Sequence, residues 1–309
     1  MGIYLNPGND LFRQAINSEI YVDKSMLIQL TNKVFDTSDR HLCVSRPRRF
    51  GKSMAANMLS AYYSRGCDSR ELFKGLKITQ TESFEKHLNK YNVIKLDMRT
   101  FAEQTENASD MKKYITEDLL YELGEEYPDI KMPPRVTLEK ALATVYSKTG
   151  IPFVFIIDEW DCIFRVFKSD KEGQTKYLGF LRDLLKDQPY VALNYATGIF
   201  PVKKYGEHSA LNMYREYSMA NQKRFAEFTG FTSDDVAVLC DKFAMSKAEM
   251  KKWYDGYRVG EFEIYNPQSV VQAITEKSFD NYWTKTETFE ALKIYIKLDM
   301  DGLRQSVIN

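Results

Sequence analysis

The chain has 309 residues, 44% of them hydrophobic, and Lys plus Arg balances Asp plus Glu at 43 each. That length and apolar content can build a sizeable core and allow one large domain or two ordinary ones. Zero formal charge argues against a dedicated nucleic-acid binder, though not against a local basic patch. Twenty Tyr and nineteen Phe argue against a disordered chain. No run reaches the ~18 apolar residues of a membrane helix.

The opening stretch, MGIYLNPGNDLF, carries Asp10 and no apolar segment of signal-peptide length, so a cytoplasmic protein is expected. Cys43, Cys67, Cys162 and Cys240 lie far apart, with no C-x-x-C pair and no His at metal spacing. They point to reduced, buried thiols.

In chain order, YVDKS at Tyr21–Ser25 reads as a strand end followed by a helix start. HLCVS at 41–45 reads as a short strand, and a helix follows from Lys52 to about Arg65, with Gly66 as a stop signal. NVIKLDM at 92–98 is a strand. Residues 111–123 are helical, with Asp110 as N-cap and Gly124 after the end; residues 138–148 are helical between Thr137 and Gly150. FVFII at 153–157 is a continuous apolar run, as in a strand buried on both faces. A helix at 176–186 and a strand at 190–197 (YVALNYAT) follow, with a short fifth strand at 217–219. Strands alternating with helices predict parallel βαβ units, a sheet covered on both faces, and a ligand beyond the strands' C-terminal ends.

After about Met219 the pattern changes. Thr232 caps a helix start with Asp235 near N3; residues 245–254 form a second helix, Asp255-Gly256 a turn, and Tyr265-Asn266-Pro267 a break before a helix at 269–277. Residues 1–219 are thus expected to form one domain and residues 220–309 a smaller, mostly helical accessory or lid domain.

Residues 45–54 read SRPRRFGKSM. Gly51-Lys52-Ser53 ends like a phosphate-binding loop, but the formula G-x-x-x-x-G-K-[ST] wants glycine where Arg46 stands. Loop amides and the helix N-terminus would face a phosphate. Gly51 permits close approach, Lys52 reaches the β- and γ-phosphates, and the Ser53 hydroxyl ligates Mg²⁺. Pro47 pushes Arg46 towards an extended conformation, so the loop enters by a stiffer route. A basic turn with an accidental GKS is the alternative. The expected nucleotide-contacting segment is Arg46, Pro47, Arg48, Arg49, Phe50, Gly51, Lys52, Ser53 and Met54.

FVFIIDEWD at 153–161 has the Walker B pattern, an apolar run ending in Asp-Glu. Asp158 would hold the Mg²⁺ hydration shell and Glu159 would orient and deprotonate the attacking water. The spacing from Ser53 to Asp158 leaves room for one strand inserted between the loop strand and this one, and NVIKLDM fits there. At the next strand tip, Thr197 could hydrogen-bond the γ-phosphate or the lytic water. A further cation near the γ-phosphate could come from Lys203 or Lys204 before Tyr205, a pair that reads more readily as solvated surface, or from Arg48 or Arg49. Loop, acidic tip and polar tip come in the order of an additional-strand P-loop NTPase, an α/β fold with a parallel sheet sandwiched by helices.

SRPRRFGKSM, FVFIIDEWD and TGIFPVKKYGEHSALN, with YVDKS, WYDGYRVG, IYNPQSVVQAI and NYWTKT, resemble the bacterial AAA-ATPase-like (predicted AAA-ATPase) family from about residue 10 to the end. In that family R-P-R-R-F-G-K-S is the usual loop, so Arg46 departs only from the general formula. The resemblance implies ATP and Mg²⁺ as ligands and gives Asp23-Lys24 a role near the nucleotide, whereas the residues by themselves favour a structural role for YVDKS. Longer members carry a C-terminal PD-(D/E)XK nuclease-like domain. This chain ends before one would begin and is expected to be a fragment or short form without nuclease function. The first expectation is an ATPase with Lys52, Glu159 and Thr197 in catalysis and Ser53 and Asp158 on the metal. The second is a nucleotide-operated switch reporting to a protein partner or a missing effector domain. The third is a nucleic-acid module using Arg46, Arg48 and Arg49. Oligomerisation is open, because an arginine could act in cis or from a neighbour.

Overall fold

Apolar segments too short to be buried helices form the central sheet. The computed structural model describes residues 2–202, 210–219, 223–255, 257–259 and 261–282. Strands His41–Ser45 (β1), Asn92–Asp97 (β2), Phe153–Asp158 (β3), Val191–Gly198 (β4) and Arg215–Tyr217 (β5) are parallel, in the order β2-β3-β4-β1-β5. This is the additional-strand P-loop NTPase arrangement. Strands β1, β3 and β4 are buried at every position. Along β3 the side chains alternate between two cores: Phe153, Phe155 and Ile157 face one, Val154 and Ile156 the other.

Helices Asp10–Ile16 (α1), Leu27–Val34 (α2), Lys52–Tyr63 (α3), Arg70–Phe73 (α4) and Ser83–His87 (α5) supply the core on one face. Met98–Glu103 (α6), Ala108–Glu126 (α7), Leu138–Thr149 (α8), Cys162–Val166 (α9) and Lys171–Leu185 (α10) supply the other. No helix among the described residues is long and apolar enough to cross a membrane. The four cysteines are free, and Cys67 alone is half-buried rather than buried.

The strand inserted between β1 and β3 is β4, not NVIKLDM, which forms the edge strand β2. The difference has a physical basis in the side chains. β2 carries Lys95 and Asp97, both only half-buried, whereas β4 has no position that tolerates solvent. The outer edge of β2 is bridged by Leu5 opposite Ile94.

Several boundaries also move. Helix α7 starts earlier than Asp110, because Asn107 accepts the Asp110 amide at 3.1 Å and caps it, and α7 runs through Gly124 to Glu126. Helix α10 starts at Lys171, capped by Asp170 accepting the Gly173 amide at 2.8 Å. Strand β5 lies two residues before its expected place. YVDKS runs without strand pairing into α2.

The later segment carries helices Ser233–Phe243 (α11), Lys247–Tyr254 (α12) and Pro267–Glu276 (α13). It also holds a small antiparallel sheet, Phe231–Thr232 (β6), Tyr257–Val259 (β7) and Phe262–Tyr265 (β8), in the order β6-β8-β7. Val236, Leu239, Met250, Val270 and Ile274 form its core, onto which Ile20 and Val22 of the early chain pack. Lys203, Lys204 and Tyr205, the Gly256 turn position and residues 283–286 of NYWTKT lie outside the described residues.

Candidate functional site

Parallel pairing brings the strand tips to one edge. Asp97 is in register with Asp158, Ile157 with Ala196, and Gly198 with Ser45. The loop after β1 therefore begins beside the tips of β4 and β3. The Arg46 amide extends the ladder by donating to the Gly198 carbonyl at 3.0 Å. The chain then turns, with Arg49 at φ +70° and Gly51 at φ +79°. Left-handed residues at alternate positions curl successive amides inwards, as an anion nest requires. A Cβ on Gly51 would meet nothing within 4 Å, so the glycine answers to backbone conformation rather than crowding. Its carbonyl accepts the Ala55 amide at 3.0 Å and starts α3.

Arg46 sits where the general formula has glycine, and its side chain does not enter the cavity. Its guanidinium is fully buried and donates to the carbonyls of Ser45 at 2.8 Å, Tyr217 at 2.9 Å and Phe225 at 3.4 Å. It fastens the loop strand to β5 and to the turn before β6. Pro47 contributes its carbonyl, which accepts from Lys52 Nζ at 3.1 Å. Phe50 also turns away from phosphate, burying its ring against Ala226, Val259 and Ile264.

The others gather around a cavity of about 450 Å³ lined by Arg48, Arg49, Gly51, Lys52, Ser53 and Met54, together with Arg99, Glu159 and Arg165. Lys52 is 5% exposed. Burial pulls its pKa down, while Glu159, Asp158 and Asp161 pull the other way. Its ammonium lies 3.7 Å from Glu159 Oε1. Glu159 stands just past β3 at φ +54°, and its other oxygen accepts a hydrogen bond from Arg165 of α9. Arg48 is pulled below the usual arginine range by burial first, then by Arg165, with Glu159 opposing. Crowded cations around one carboxylate make this an anion-seeking site.

Asp158 is 4% exposed; its Oδ1 accepts both the Glu159 amide at 3.0 Å and the Thr197 hydroxyl. Thr197 is fully buried, so its hydroxyl orients Asp158 rather than facing the cavity. Asp161 is fully buried too, and accepts the amides of Ile199 at 3.1 Å and Phe200 at 2.8 Å. Burial pushes its pKa up to about 6, against the pull of Arg165. It pins the turn after β4 to the segment after β3. Gly198 is needed at that junction, because a Cβ there would lie 2.6 Å from both Asp161 Oδ1 and Trp160 Nε1.

A second, apolar cavity of about 330 Å³ shares Arg49, Gly51 and Met54 with the first and is walled by Tyr21, Val22, Met58, Phe228, Phe231 and Val271. Lys24 reaches its rim but pairs with Asp235, and Asp23 accepts the amides of Ser25 and Lys77, each at 2.8 Å. These two residues tie segments together.

Sequence reasoning missed Arg99, Arg165 and Asp161. The signal available for the two arginines was position alone: Arg99 lies just past the tip of β2 and Arg165 a turn past the tip of β3.

The family model described as Predicted AAA-ATPase matches residues 8–206, more than half of the chain. The "Uncharacterized protein in vnfD 5'region" of Azotobacter chroococcum mcd 1 is 24% identical over 278 residues, which cover 87% of this chain and 51% of that protein. The chain thus spans about half the length of that relative. Among solved structures, AMPPCP-bound DnaA from Aquifex aeolicus is similar with a TM-score of 0.37 and 10% identity, covering 94% of this chain and 71% of that one. ORC2 of Aeropyrum pernix in ADPNP-ADP complexes has a TM-score of 0.37 and 11% identity, covering 92% and 66%. By its loop, its strand order and its match to the family model, the chain belongs to the predicted AAA-ATPase family.

Proposed function

We propose that the chain binds ATP with Mg²⁺ and hydrolyses it to ADP and phosphate, driving a conformational switch. The observation that carries this reading is the meeting of Lys52 and Glu159 beside a helix N-terminus, in a cavity otherwise rich in arginine, with buried Asp158 directly before Glu159. The phosphates would lie on the amides between Arg49 and Ser53, with Arg48 and Arg49 alongside. Lys52 would exchange the Pro47 carbonyl for phosphate oxygens. The base and ribose would take the adjoining apolar cavity, whose outer wall comes from Phe228, Phe231 and Val271. Residues 220–309 would then act as a lid on a nucleotide domain of residues 1–219.

Ser53 and Asp158 offer oxygen donors that suit Mg²⁺. Among the described residues no three His, Cys, Asp or Glu side chains group as a metal site of their own. The ion would therefore arrive with the phosphates, as Mg²⁺ commonly does. When bound, it supplies charge neutralisation across them. Thr197 holds Asp158 in place. In hydrolysis the water oxygen bonds to the γ-phosphorus while the bond to the β–γ bridging oxygen breaks. ADP leaves with that electron pair, and Glu159 takes the proton of the water. The work is mainly positioning and neutralisation.

A second reading, a nucleotide-occupied switch with negligible turnover, is favoured by one observation: Glu159 is tied to Arg165 and faces Lys52, so it is not free to act as a base. The nucleic-acid reading is weakened, since the guanidinium of Arg46 is engaged with three carbonyls. One experiment separates the first two: ATP binding and hydrolysis by wild type, Lys52→Ala and Glu159→Gln, with oligomeric state recorded. Lys52→Ala should lose binding. Glu159→Gln should bind ATP and stop turning over. Equal hydrolysis by wild type and Glu159→Gln removes Glu159 from catalysis, and tight binding without turnover in wild type favours the switch.

A further inference from the structure

We propose that the cleft between the N-terminal segment, α3 and β2 binds a free amino acid with an aliphatic side chain, its carboxylate on Lys95, Asn57 and Ser60 and its ammonium on Asp97. The inference does not rest on the ATPase reading, and the cleft shares no lining residue with the arginine-rich cavity.

Lys95 and Asp97 are two apart on β2 and so face the same side of the sheet. Lys95 is in register with Ile156, whose side chain packs in the core that includes α3. The lysine is half-buried, yet it forms no ion pair among the described residues; its ammonium donates to Asn57 Oδ1. Asp97 caps α6 through Oδ1, which accepts the Arg99 amide at 2.9 Å, while its Oδ2 lies 3.9 Å from the Arg99 guanidinium, beyond hydrogen-bond reach. Burial pulls the pKa of Lys95 down and pushes that of Asp97 up, so each charge is short of a compensating partner. Asn57 and Ser60, three apart on α3, share one face of it and line the same cleft. Ser60 is 2% exposed, and its hydroxyl has no hydrogen-bond partner among the described residues. A buried hydroxyl left unpaired is costly.

The other wall is apolar and held in place. The Lys95 amide donates to the Tyr4 carbonyl at 2.9 Å, and Glu122 accepts the amides of Ile3 at 2.8 Å, Tyr4 at 3.0 Å and Leu5 at 2.6 Å. Ile3 and Leu11, 77% and 54% exposed, line the cleft with buried Phe12. Its volume is about 170 Å³, below the ~300–1,000 Å³ of sites for drug-sized ligands, so the ligand is small. A cation and an anion that face one cleft without pairing suit a ligand carrying both charges. A simple anion would lie against Asp97 uncompensated, and a simple cation against Lys95. A zwitterion answers both, and an aliphatic side chain covers Ile3 and Leu11.

The test is binding of L-leucine to the full chain, measured by calorimetry, beside isocaproate, which lacks the ammonium, and isoamylamine, which lacks the carboxylate; weak binding is followed by NMR. Wild type should bind one L-leucine, and each analogue about 10- to 100-fold more weakly, the range for a charged hydrogen bond. Lys95→Met should lose a similar factor for L-leucine and no longer prefer it to isoamylamine. Asp97→Asn, which keeps a capping oxygen for α6, should no longer prefer L-leucine to isocaproate. A merely structural role for either residue would not shift these preferences. Ser60→Ala removes an unpaired hydroxyl, should fold at least as stably as wild type, and should bind L-leucine about tenfold more weakly. No binding of L-leucine by wild type overturns the proposal. Equal affinity for all three ligands overturns it as well, because the apolar wall alone would then account for binding. Affinity for L-leucine unchanged in Ser60→Ala and Asp97→Asn places the ligand elsewhere and has the same consequence. Should Lys95→Met fail to fold, those two variants decide alone.

Discussion

His41 opens β1 at the end of the sheet remote from the loop, 4% exposed, with Asn194 Nδ2 3.4 Å from its Nδ1. Burial pulls its pKa down to about 4, Arg40 adding to the effect and Asp187 opposing it. The folded value lies below the unfolded value of about 6.5. The stability of the neutral ring is therefore complete above pH about 6.5 and is lost as pH falls towards about 4. Compared with His41→Gln, which does not titrate, wild type should lose up to about 1.4 kcal/mol per pH unit across that window. Urea denaturation of both proteins at pH 7.5 and pH 5 checks this, and parallel losses would disprove it. Single residues differ in how openly the sequence announces them. Lys52, Asp158, Glu159 and Thr197 stand out because short motifs end at strand tips, and the fold does bring those four to one edge. Arg46 looks like another phosphate cation only while the carbonyls behind it are hidden; Tyr217 and Phe225, which hold it, come more than 170 residues later. Arg165 belongs to no local pattern, and its place is seen only where it meets Glu159.

Helix α11 begins with a capping box: Thr232 accepts the Asp235 amide at 3.2 Å, and Asp235 accepts the Thr232 amide at 2.7 Å. Asp235 also takes Lys24, so the cap doubles as a fastener to the early chain. Thr232→Ala should cost about 1 kcal/mol, within the range of lost caps, and Thr232→Ser should restore most of it. Denaturant midpoints at constant slope measure both, and an alanine variant as stable as wild type would show that the cap is dispensable. Caps of this kind at Thr137 and Thr232 can be read from sequence because the partners lie within three residues. Strand order cannot be read so directly. That β4 separates β1 from β3 depends on pairings some 40 to 150 residues apart. The half-buried Lys95 and Asp97 were the one local sign that NVIKLDM belongs at an edge.

Phe50 joins the phosphate loop to the segment that follows the main sheet. Its ring is fully buried among Ala226, Val259 and Ile264 and meets Tyr257 edge-on at 5.0 Å, while its carbonyl accepts the Gly230 amide at 2.9 Å. A loop residue one position before Gly51 thus has its side chain in the later segment, and movement of the loop on binding phosphate must move that contact. Phe50→Ala should lower stability by about 3–5 kcal/mol, the usual cost of emptying a buried phenylalanine site. It should also cut communication between the two regions. In wild type, Mg²⁺-ATP should slow amide hydrogen exchange in β7 and β8 as well as in the loop. In Phe50→Ala the loop should still respond and the strands should not. Phe50→Leu keeps most of the apolar contact and should preserve the response. Protection of β7 and β8 that survives in Phe50→Ala would show that the signal travels by another route, for which the Lys24–Asp235 pair and the packing of Ile20 and Val22 on the later core are candidates.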